Sequence, residues 1–199
     1  MFKKFFIYTL FLFFSLNCFA KNQTIQDIED YLNNIKYLKA NFLQDDKADS
    51  ELVEGVLYIS RPGKLRLDYL NPFEASLYTN NKLTIYYDKD LDEITNLPTS
   101  KTPLHFLLKD KISVSDNDVK LVNFEETNTH VEISFQEKDK EEQGTLILKF
   151  TKNPINLKSI SLLNELNQEI EITLFDVDNK EIKNSVFNFD NPRLKKKNY

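Results

Sequence analysis

The sequence predicts a mainly β fold with a few helices, and three observations support this prediction. From Ala40 onward, apolar and polar residues alternate in short runs, which is typical of strands with one buried face. Short links rich in Asn, Asp and Pro join these runs, so consecutive strands should be antiparallel neighbours. About a dozen such strands in one domain require a strongly curled sheet or a barrel rather than a flat sheet.

The first 20 residues have the pattern of a secretory signal peptide. Two lysines provide the positive start, an apolar run follows, and Cys18 and Ala20 place small residues before the cleavage point. The apolar run is too short for a stable membrane span. A lipoprotein processing site at Cys18 is the alternative, but the residues before it do not fit that motif. We therefore expect residues 1–20 to be removed and residues 21–199 to form a single exported domain.

The exported domain would be acidic and free of cysteine. The only cysteine is Cys18, so no disulfide could form after cleavage. Loss of Lys3 and Lys4 would change the formal net charge from −5 to −7, because 24 of 26 basic residues would remain against 31 acidic ones. This balance argues against binding to nucleic acids or to anionic membrane surfaces. The 179 residues that remain of 199 are enough for one domain with a sizeable core.

The longest helix signal lies at the start of this domain. Apolar residues recur there at three- and four-residue steps and form a single stripe: Ile25, Ile28, Leu32, Ile35 and Leu38. Thr24 followed by Asp27 resembles a variant of the capping box that begins many helices. The stripe must pack on an apolar surface, and it fits two interpretations. It belongs either to an ordinary core helix or to a lid over a cavity.

A hairpin is predicted where two strand-like runs, residues 55–60 and 64–69, meet at a Pro-Gly turn. The proline fixes the turn geometry, and Gly63 can adopt a positive φ. Arg61 and Arg66 are two of only three arginines in a lysine-rich chain, which suggests that a planar fork of donors is needed here. Taken alone, the hairpin favours the simpler interpretation of Arg61 as a solvated turn residue.

The remaining pattern divides into two blocks of strands with a break between them. The predicted strands are residues 40–45, 52–60, 64–70, 75–79, 83–88, 92–97, 119–125, 130–136, 144–151, 158–164, 169–176 and 185–189. Within the break, Thr102-Pro103 is typical of a helix start and precedes the apolar run of residues 104–108. This short helix is either a second plug-like element or a core helix under a loop.

No constellation of catalytic residues is evident in the sequence. His105 and His130 are the only histidines, and His130 lies on a predicted strand between acidic and apolar neighbours. The sequence has no nucleophile elbow, no metal-ligand cluster and no Gly-rich phosphate loop, since it contains only three glycines. Paired-carboxylate catalysis stays open, because acidic residues are numerous. We expect neither enzymatic activity nor a bound cofactor or metal.

Several runs, taken in order, resemble the LolA family of periplasmic outer-membrane lipoprotein carriers. The Arg-Pro hairpin, the spacing from the helix to Phe-x-Gln, and the ending in the right order carry this resemblance. The runs cover nearly the whole exported domain: Leu32 with Phe42-Leu-Gln44, Gly55-Val-Leu-Tyr-Ile-Ser-Arg61-Pro62, Leu65-Arg-Leu-Asp-Tyr69, Pro72, Asn80-Asn-Lys82, Tyr86-Tyr-Asp88, Asp90-Leu91, Ile94-Thr95, Thr102-Pro103, Leu107-Leu108, Phe187-Asn-Phe189 and Pro192.

The resemblance implies an incomplete, unclosed antiparallel β-barrel with a helical lid over an apolar cavity. Family members take acylated lipoproteins from an inner-membrane ABC transporter, shield the acyl chains across the periplasm, and deliver them to an outer-membrane acceptor. By this resemblance the chain is a monomeric periplasmic carrier, and Arg61 tethers the lid helix by hydrogen bonds to its backbone carbonyls. The residues expected to line the lipid-binding cavity are Ile28, Leu32, Ile35, Leu57, Ile59, Leu65, Leu67 and Phe106.

Some residues depart from the family pattern. The family often has tryptophan near the positions of Leu67 and Ile85, and an Asp-Gly turn where this chain has Asn80-Asn81. These differences leave the shape of the cavity and the identity of the partners open. Two alternative functions are an envelope-stress regulator of the same fold that senses lipid or lipoprotein, and a secreted lipid hydrolase.

Overall fold

The computed structural model describes residues 23–48, 52–80, 82–166 and 168–195. The signal peptide predicted for residues 1–20 lies outside the described residues, so its cleavage stays a prediction. Within the part of the chain that is described, no helix is both long enough and apolar enough to cross a membrane.

Helix α1, residues 23–34, is the first described element. The predicted capping box is wrong, because residue 23 is already helical and Thr24 therefore lies inside the helix. The Thr24 hydroxyl donates a hydrogen bond to Glu126, with 3.2 Å between Oγ1 and Oε1. Thr24 thus connects the helix to a distant strand instead of capping it.

The helix also ends earlier than its apolar stripe predicts. Leu38 lies in the first strand, where it is buried together with Ala40 and Phe42 and alternates with more exposed neighbours. Its three-residue step from Ile35 fits a helix, but its two-residue step to Ala40 fits a strand. The two asparagines at positions 33 and 34 are poor helix formers, which is consistent with the helix ending there.

Eleven strands form the body of the described chain. Their bounds are β1 Tyr37–Asp46, β2 Leu52–Ser60, β3 Lys64–Asn71, β4 Ala75–Thr79, β5 Leu83–Asp88, β6 Glu93–Pro98, β7 Val119–Glu126, β8 His130–Glu137, β9 Thr145–Thr151, β10 Asn156–Leu163 and β11 Glu169–Asp178. Short 3₁₀ helices occupy Thr99–Lys101, Pro103–Leu108, Glu141–Gln143 and Asn184–Phe187, and helix α2 occupies Pro192–Lys195. The first eleven predicted strands and the short helix in the break are confirmed, with small shifts at their ends.

All eleven strands belong to one antiparallel sheet. Their order in space is β6-β5-β4-β3-β2-β1-β11-β10-β9-β8-β7. Strand β1 joins two meanders, because it pairs with β2 on one side and with β11 on the other. The first meander consists of β1–β6 and the second of β7–β11. Strands β6 and β7 are the two edges, so within the described chain the sheet is unclosed, as the family resemblance implies.

The twelfth predicted strand, residues 185–189, is wrong. Residues 184–189, here called the C-terminal segment, begin with a 3₁₀ helix and lie against side chains of the first meander. Arg66 of β3 donates a hydrogen bond from Nη1 to the Val186 carbonyl at 2.9 Å. Because β3 already pairs with both β2 and β4, it has no free edge for another strand. The segment therefore packs on side chains instead of joining the ladder.

The core lies on the opposite face of the sheet, between the strands and helix α1. In β3, Leu65 and Leu67 are buried on this inner face, while Arg66 between them points to the outer face. Helix α1 contributes Ile28 and Leu32, whose exposed fractions are 0% and 4%. Strands of both meanders contribute to the same buried cluster as the helix, so the sheet curls around α1.

Candidate functional site

The turn between β2 and β3 places Arg61 beside the C-terminal end of helix α1. The Arg61 amide donates a hydrogen bond to the Lys36 carbonyl at 2.8 Å, just after the helix. Gly63 has the expected positive φ, 82°, and its amide donates to the Leu108 carbonyl at 2.9 Å. Arg61 as a residue is only 8% exposed, so it is not a solvated turn residue.

The Arg61 guanidinium binds the end of helix α1. Its Nη1 donates to the Leu32 carbonyl and to the Ile35 carbonyl, the latter at 3.3 Å. The last carbonyls of a helix lack partners within the helix and carry its partial negative charge. A buried cation at this point therefore satisfies and stabilises the helix end.

The same guanidinium binds the chain that follows the 3₁₀ helix Pro103–Leu108. Nε and Nη2 donate to the Lys109 carbonyl at 3.0 and 2.8 Å, and Nη2 also donates to the Asp110 carbonyl at 3.2 Å. Burial lowers the pKa of Arg61, and the charge of Asp110 partly opposes this shift. The guanidinium remains charged at physiological pH. Arg61 thus connects its own hairpin to two further parts of the chain.

A small apolar cavity lies next to Arg61. Its volume is about 20 Å³, which is room for little more than one water molecule. The wall residues are Leu32, Ile35, Leu38, Ile59, Arg61, Leu107, Ile112 and Leu157. Helix α1 supplies Leu32, and the chain just after it supplies Ile35. These two side chains occupy apolar space that the curled sheet would otherwise leave open.

All eight residues predicted for the cavity lie in one apolar cluster. Leu32, Ile35 and Ile59 line the residual cavity. The other five are buried in the surrounding cluster: Ile28, Leu57, Leu65, Leu67 and Phe106. The role of these residues in lipid binding stays a prediction.

Four further wall residues were not predicted: Leu38, Leu107, Ile112 and Leu157. Burial alternates along the first part of β1, so strand periodicity is a signal that could have indicated Leu38. In β10 the pairing register shifts between Leu157 and Ser159, which interrupts the alternation that would have marked Leu157. Ile112 lies outside any helix or strand, and no periodicity marks it.

Helix α1 is anchored to the second meander through Tyr31. Its hydroxyl accepts a hydrogen bond from the Leu157 amide at 3.0 Å. Its ring packs edge-on against Phe150, with 5.9 Å between the ring centroids. Burial raises the pKa of Tyr31, and the hydrogen bond from Leu157 partly opposes this shift. Helix α1 therefore contacts both meanders of the curled sheet.

Two polar side chains of helix α1 face residues 112–114, and neither was predicted to have a role. Glu29 accepts a hydrogen bond from the Val114 amide at 2.7 Å. Asn33 exchanges two hydrogen bonds with the backbone of Ile112. Their four-residue spacing places both on one side of the helix, which is the only signal of this role in the sequence.

The 3₁₀ helix Pro103–Leu108 is fastened to strand β8. His105 Nε2 lies 2.7 Å from the Glu137 carboxylate, and Nδ1 lies 2.8 Å from the Thr102 carbonyl. The Phe106 ring packs on Phe135, with 4.2 Å between centroids. This element is packed as a core helix, and it also supplies Leu107 to the cavity wall.

Comparison with known proteins gives a family match over most of the chain. The family model described as outer membrane lipoprotein carrier protein LolA matches residues 33–190. An outer-membrane lipoprotein carrier protein of Chromobacterium violaceum is 31% identical over 78 residues, which are 38% of this chain and 38% of that protein. A protein of the same description from Methylococcus capsulatus is 29% identical over 98 residues, 45% of this chain and 47% of that protein. The chain thus matches less than half the length of these curated relatives.

Solved structures give a likeness of fold. An uncharacterised conserved protein from Thermus thermophilus superimposes with a TM-score of 0.53 at 10% identity, over 86% of this chain and 96% of that one. A domain from Vibrio parahaemolyticus, assigned to outer-membrane lipoprotein sorting, superimposes with a TM-score of 0.50 at 9% identity, over 83% of this chain and 95% of that one. These likenesses concern the curled sheet and its helix, because identity this low carries fold information alone.

Proposed function

This chain belongs to the LolA family of outer-membrane lipoprotein carrier proteins, and we propose that it carries lipoproteins through the periplasm by shielding their acyl chains. In this proposal residues 1–20 direct export, residues 21–199 form the carrier domain, and an inner-membrane ABC transporter and an outer-membrane acceptor are its partners. Carriers of this family are not enzymes, and the proposed role requires binding and release without covalent chemistry.

The observation that supports this function best is the nearly filled cavity beside Arg61. With a volume of about 20 Å³, it has no room for an acyl chain while helix α1 is in place. Leu32 and Ile35 already lie where apolar cargo would be sheltered. We therefore propose that α1 is a lid, and that its side chains and the acyl chain compete for the same apolar surface.

The energies involved allow such a lid to open. Each buried CH₂ contributes roughly 0.8 kcal/mol, so one C16 acyl chain represents on the order of 12 kcal/mol of burial. A hydrogen bond from Arg61 contributes only about 0.5–3 kcal/mol net. The closed lid buries the apolar surface, and its hydrogen bonds are weak enough for cargo to displace it. Release to an acceptor then requires only that the acceptor bind the lipid more tightly.

A displacement experiment tests the proposed function. A fluorescent probe that brightens in apolar surroundings should bind the processed protein with about one-to-one stoichiometry. A triacylated lipoprotein should displace the probe, and the same lipoprotein without its acyl chains should not, because the lipid is the recognised group. If both forms displace the probe equally, or if neither does, the carrier function is contradicted.

A further inference from the structure

Helix α1 has a polar row beside its apolar stripe. Glu29 and Asn33 are four residues apart, so they lie one above the other on the same side of the helix. Both side chains reach the stretch of residues 112–114, which follows the 3₁₀ helix and lies outside any regular element. This stretch is here called the flanking segment.

Asn33 binds the flanking segment in both directions. Its Nδ2 donates to the Ile112 carbonyl at 2.8 Å, and its Oδ1 accepts from the Ile112 amide at 2.8 Å. The side-chain amide thus pairs with one residue as a neighbouring strand would. Such a closed pair fixes the distance and the orientation between the helix and the segment.

Glu29 adds a second attachment one helical turn earlier. Its Oε1 accepts from the Val114 amide at 2.7 Å and from the Ser113 hydroxyl at 3.1 Å. Ile112 and Val114 point inward and are 1% and 6% exposed, while Ser113 is half-buried. The segment therefore lies along the helix with its apolar side chains in the core and its backbone on the polar row.

We propose that Glu29 and Asn33 lock the flanking segment to helix α1, so that the two open and close as one lid. The inference rests on the proposed carrier function, because opening here means that helix α1 leaves the sheet to admit cargo. Arg61 contacts both parts, because it binds the Leu32 carbonyl of the helix and the Lys109 carbonyl just before the segment. One arginine can therefore hold the whole lid on the sheet, while the polar row holds the lid together.

This arrangement changes what an open cavity contains. Ile112 is part of the wall of the present cavity, and it would leave with the helix when the lid opens. The space exposed to cargo would then be bounded mainly by strands, including Leu38, Ile59 and Leu157. Glu29 and Asn33 act as positioning residues, because neither lines the cavity and both hold the segment that does. Asn33 Oδ1 also accepts a hydrogen bond from Arg61 Nη2 at 3.5 Å, which adds the lock to the same network.

Distance measurements between paired spin labels test the proposal. Cys18 is the only cysteine and lies outside the described residues, so a processed chain lacking it offers a clean background. One pair, Asp30→Cys with Ser115→Cys, spans the lock between two exposed positions. A second pair, Asp30→Cys with Lys158→Cys, spans helix α1 and strand β10.

The expected result is a narrow distance distribution for the first pair, both in the parent protein and in Arg61→Leu. The combined substitution Glu29→Gln with Asn33→Ala should broaden it severalfold, and Asn34→Ala, at the adjacent exposed position, should not. The proposal is overturned if the combined substitution leaves the width unchanged. It is also overturned if Arg61→Leu alone broadens the first pair, because the helix and the segment would then separate with the lock intact.

These readings are independent of the proposed function. The second pair reports whether the helix leaves the sheet, and probe binding reports whether apolar cargo enters. A protein with an intact lock that binds no acyl chain would contradict the carrier function and leave the lock supported. A protein that binds acyl chains but shows a broad distance distribution for the first pair would support the carrier function and contradict the lock.

Discussion

Helix α1 and the C-terminal segment lie on opposite faces of the same sheet, and each is held by one arginine. Arg61 binds carbonyls at the end of helix α1 on the inner face. Arg66 binds the Val186 carbonyl of the C-terminal segment on the outer face, at 2.9 Å. The two guanidinium groups use the same chemistry toward the element that they hold. Their remaining contacts differ, and in the proposed carrier mechanism this difference would separate a fixed attachment from a releasable one.

Arg66 is held in place by the sheet itself. Two bonds of 2.9 Å, from Nε to Oδ1 and from Nη2 to Oδ2, join it to Asp68 on the same strand. Its Cζ atom lies 4.9 Å from the centroid of the Tyr78 ring and 5.8 Å from that of Tyr58. Burial lowers the pKa of Arg66, but the hydrogen bond and charge of Asp68 outweigh it and leave the pKa raised. The guanidinium is therefore oriented by contacts within the sheet, in addition to its contact with the C-terminal segment.

Arg61 is oriented mainly by the elements that it holds. Within the described residues, the acceptors of its guanidinium are the backbone carbonyls of positions 32, 35, 109 and 110 and the side-chain oxygen of Asn33. When these acceptors move away, the guanidinium can return to water, and no buried carboxylate is left without its partner. Opening then avoids the large penalty of an unpaired buried charge. Arg61 is thus suited to a reversible attachment and Arg66 to a permanent one.

The largest expected effect comes from placing a charge on the inner face of the helix. Leu32 is 4% exposed and lines the cavity. In Leu32→Glu, an unpaired carboxylate buried there would cost several kcal/mol, so the helix should leave the sheet and expose the new side chain to water. We expect cargo uptake, measured with the fluorescent probe, to be abolished. The circular dichroism spectrum should stay near that of the parent protein.

Asn34→Glu is the matched control, because Asn34 is exposed at the end of the same helix. It should change neither uptake nor circular dichroism. Loss of the β-sheet signal in Leu32→Glu would mean that α1 is an ordinary core helix, and the proposed lid would lose its main support.

A smaller effect is expected at Arg61. Arg61→Leu removes several charge-assisted hydrogen bonds from the closed form, so the opening equilibrium of helix α1 should rise by about 100-fold, or roughly 2.7 kcal/mol. Hydrogen exchange of residues 25–34 measures this rise. Arg61→Lys should recover only part of the protection, because lysine restores the charge without the planar fork. Unchanged exchange in Arg61→Leu would remove the tether role from Arg61.

The elements that the sequence predicted best are those with local signals. Alternating burial in strands such as β3 and the stripe of Ile28 and Leu32 in α1 follow from periodicity within a few residues. The helix end was misjudged at Leu38, because one three-residue step fits the helix stripe while the following two-residue steps fit a strand. Local patterns thus predict the type of an element better than its boundary.

The features that the sequence did not predict depend on the whole sheet. Residues 185–189 alternate Phe187 and Phe189 as a strand would, but β3–β5 have no free edge at that place. The acceptor and donor of Ile112 are backbone atoms, so no side-chain pattern announces that Asn33 will bind them. Arg61 was identified through its rarity and through family resemblance, whereas its bonds to the Lys109 and Asp110 carbonyls required the fold.

The smallest expected effect lies on the outer face and would sharpen the contrast between the two arginines. Arg66→Leu removes the pair with Asp68, the packing on two tyrosine rings and the bond to Val186, while Asp68 keeps a hydrogen bond from the Ser76 hydroxyl at 2.9 Å. Because both partners of the ion pair are partly exposed, we expect the free energy of unfolding to fall by only about 1–2 kcal/mol.

Chemical denaturation measures that loss. Hydrogen exchange of residues 25–34 should stay at the parent level, because the contacts of Arg66 do not include helix α1. The free energy of unfolding of Arg66→Lys should lie between those of the parent protein and Arg66→Leu, since lysine keeps the charge but cannot make the two-bond pair with Asp68. The distinction depends on the two faces acting independently through a packed sheet. If Arg66→Leu opened the helix as far as Arg61→Leu does, the C-terminal segment would control the inner face, and the view of Arg66 as a fixed attachment would be wrong.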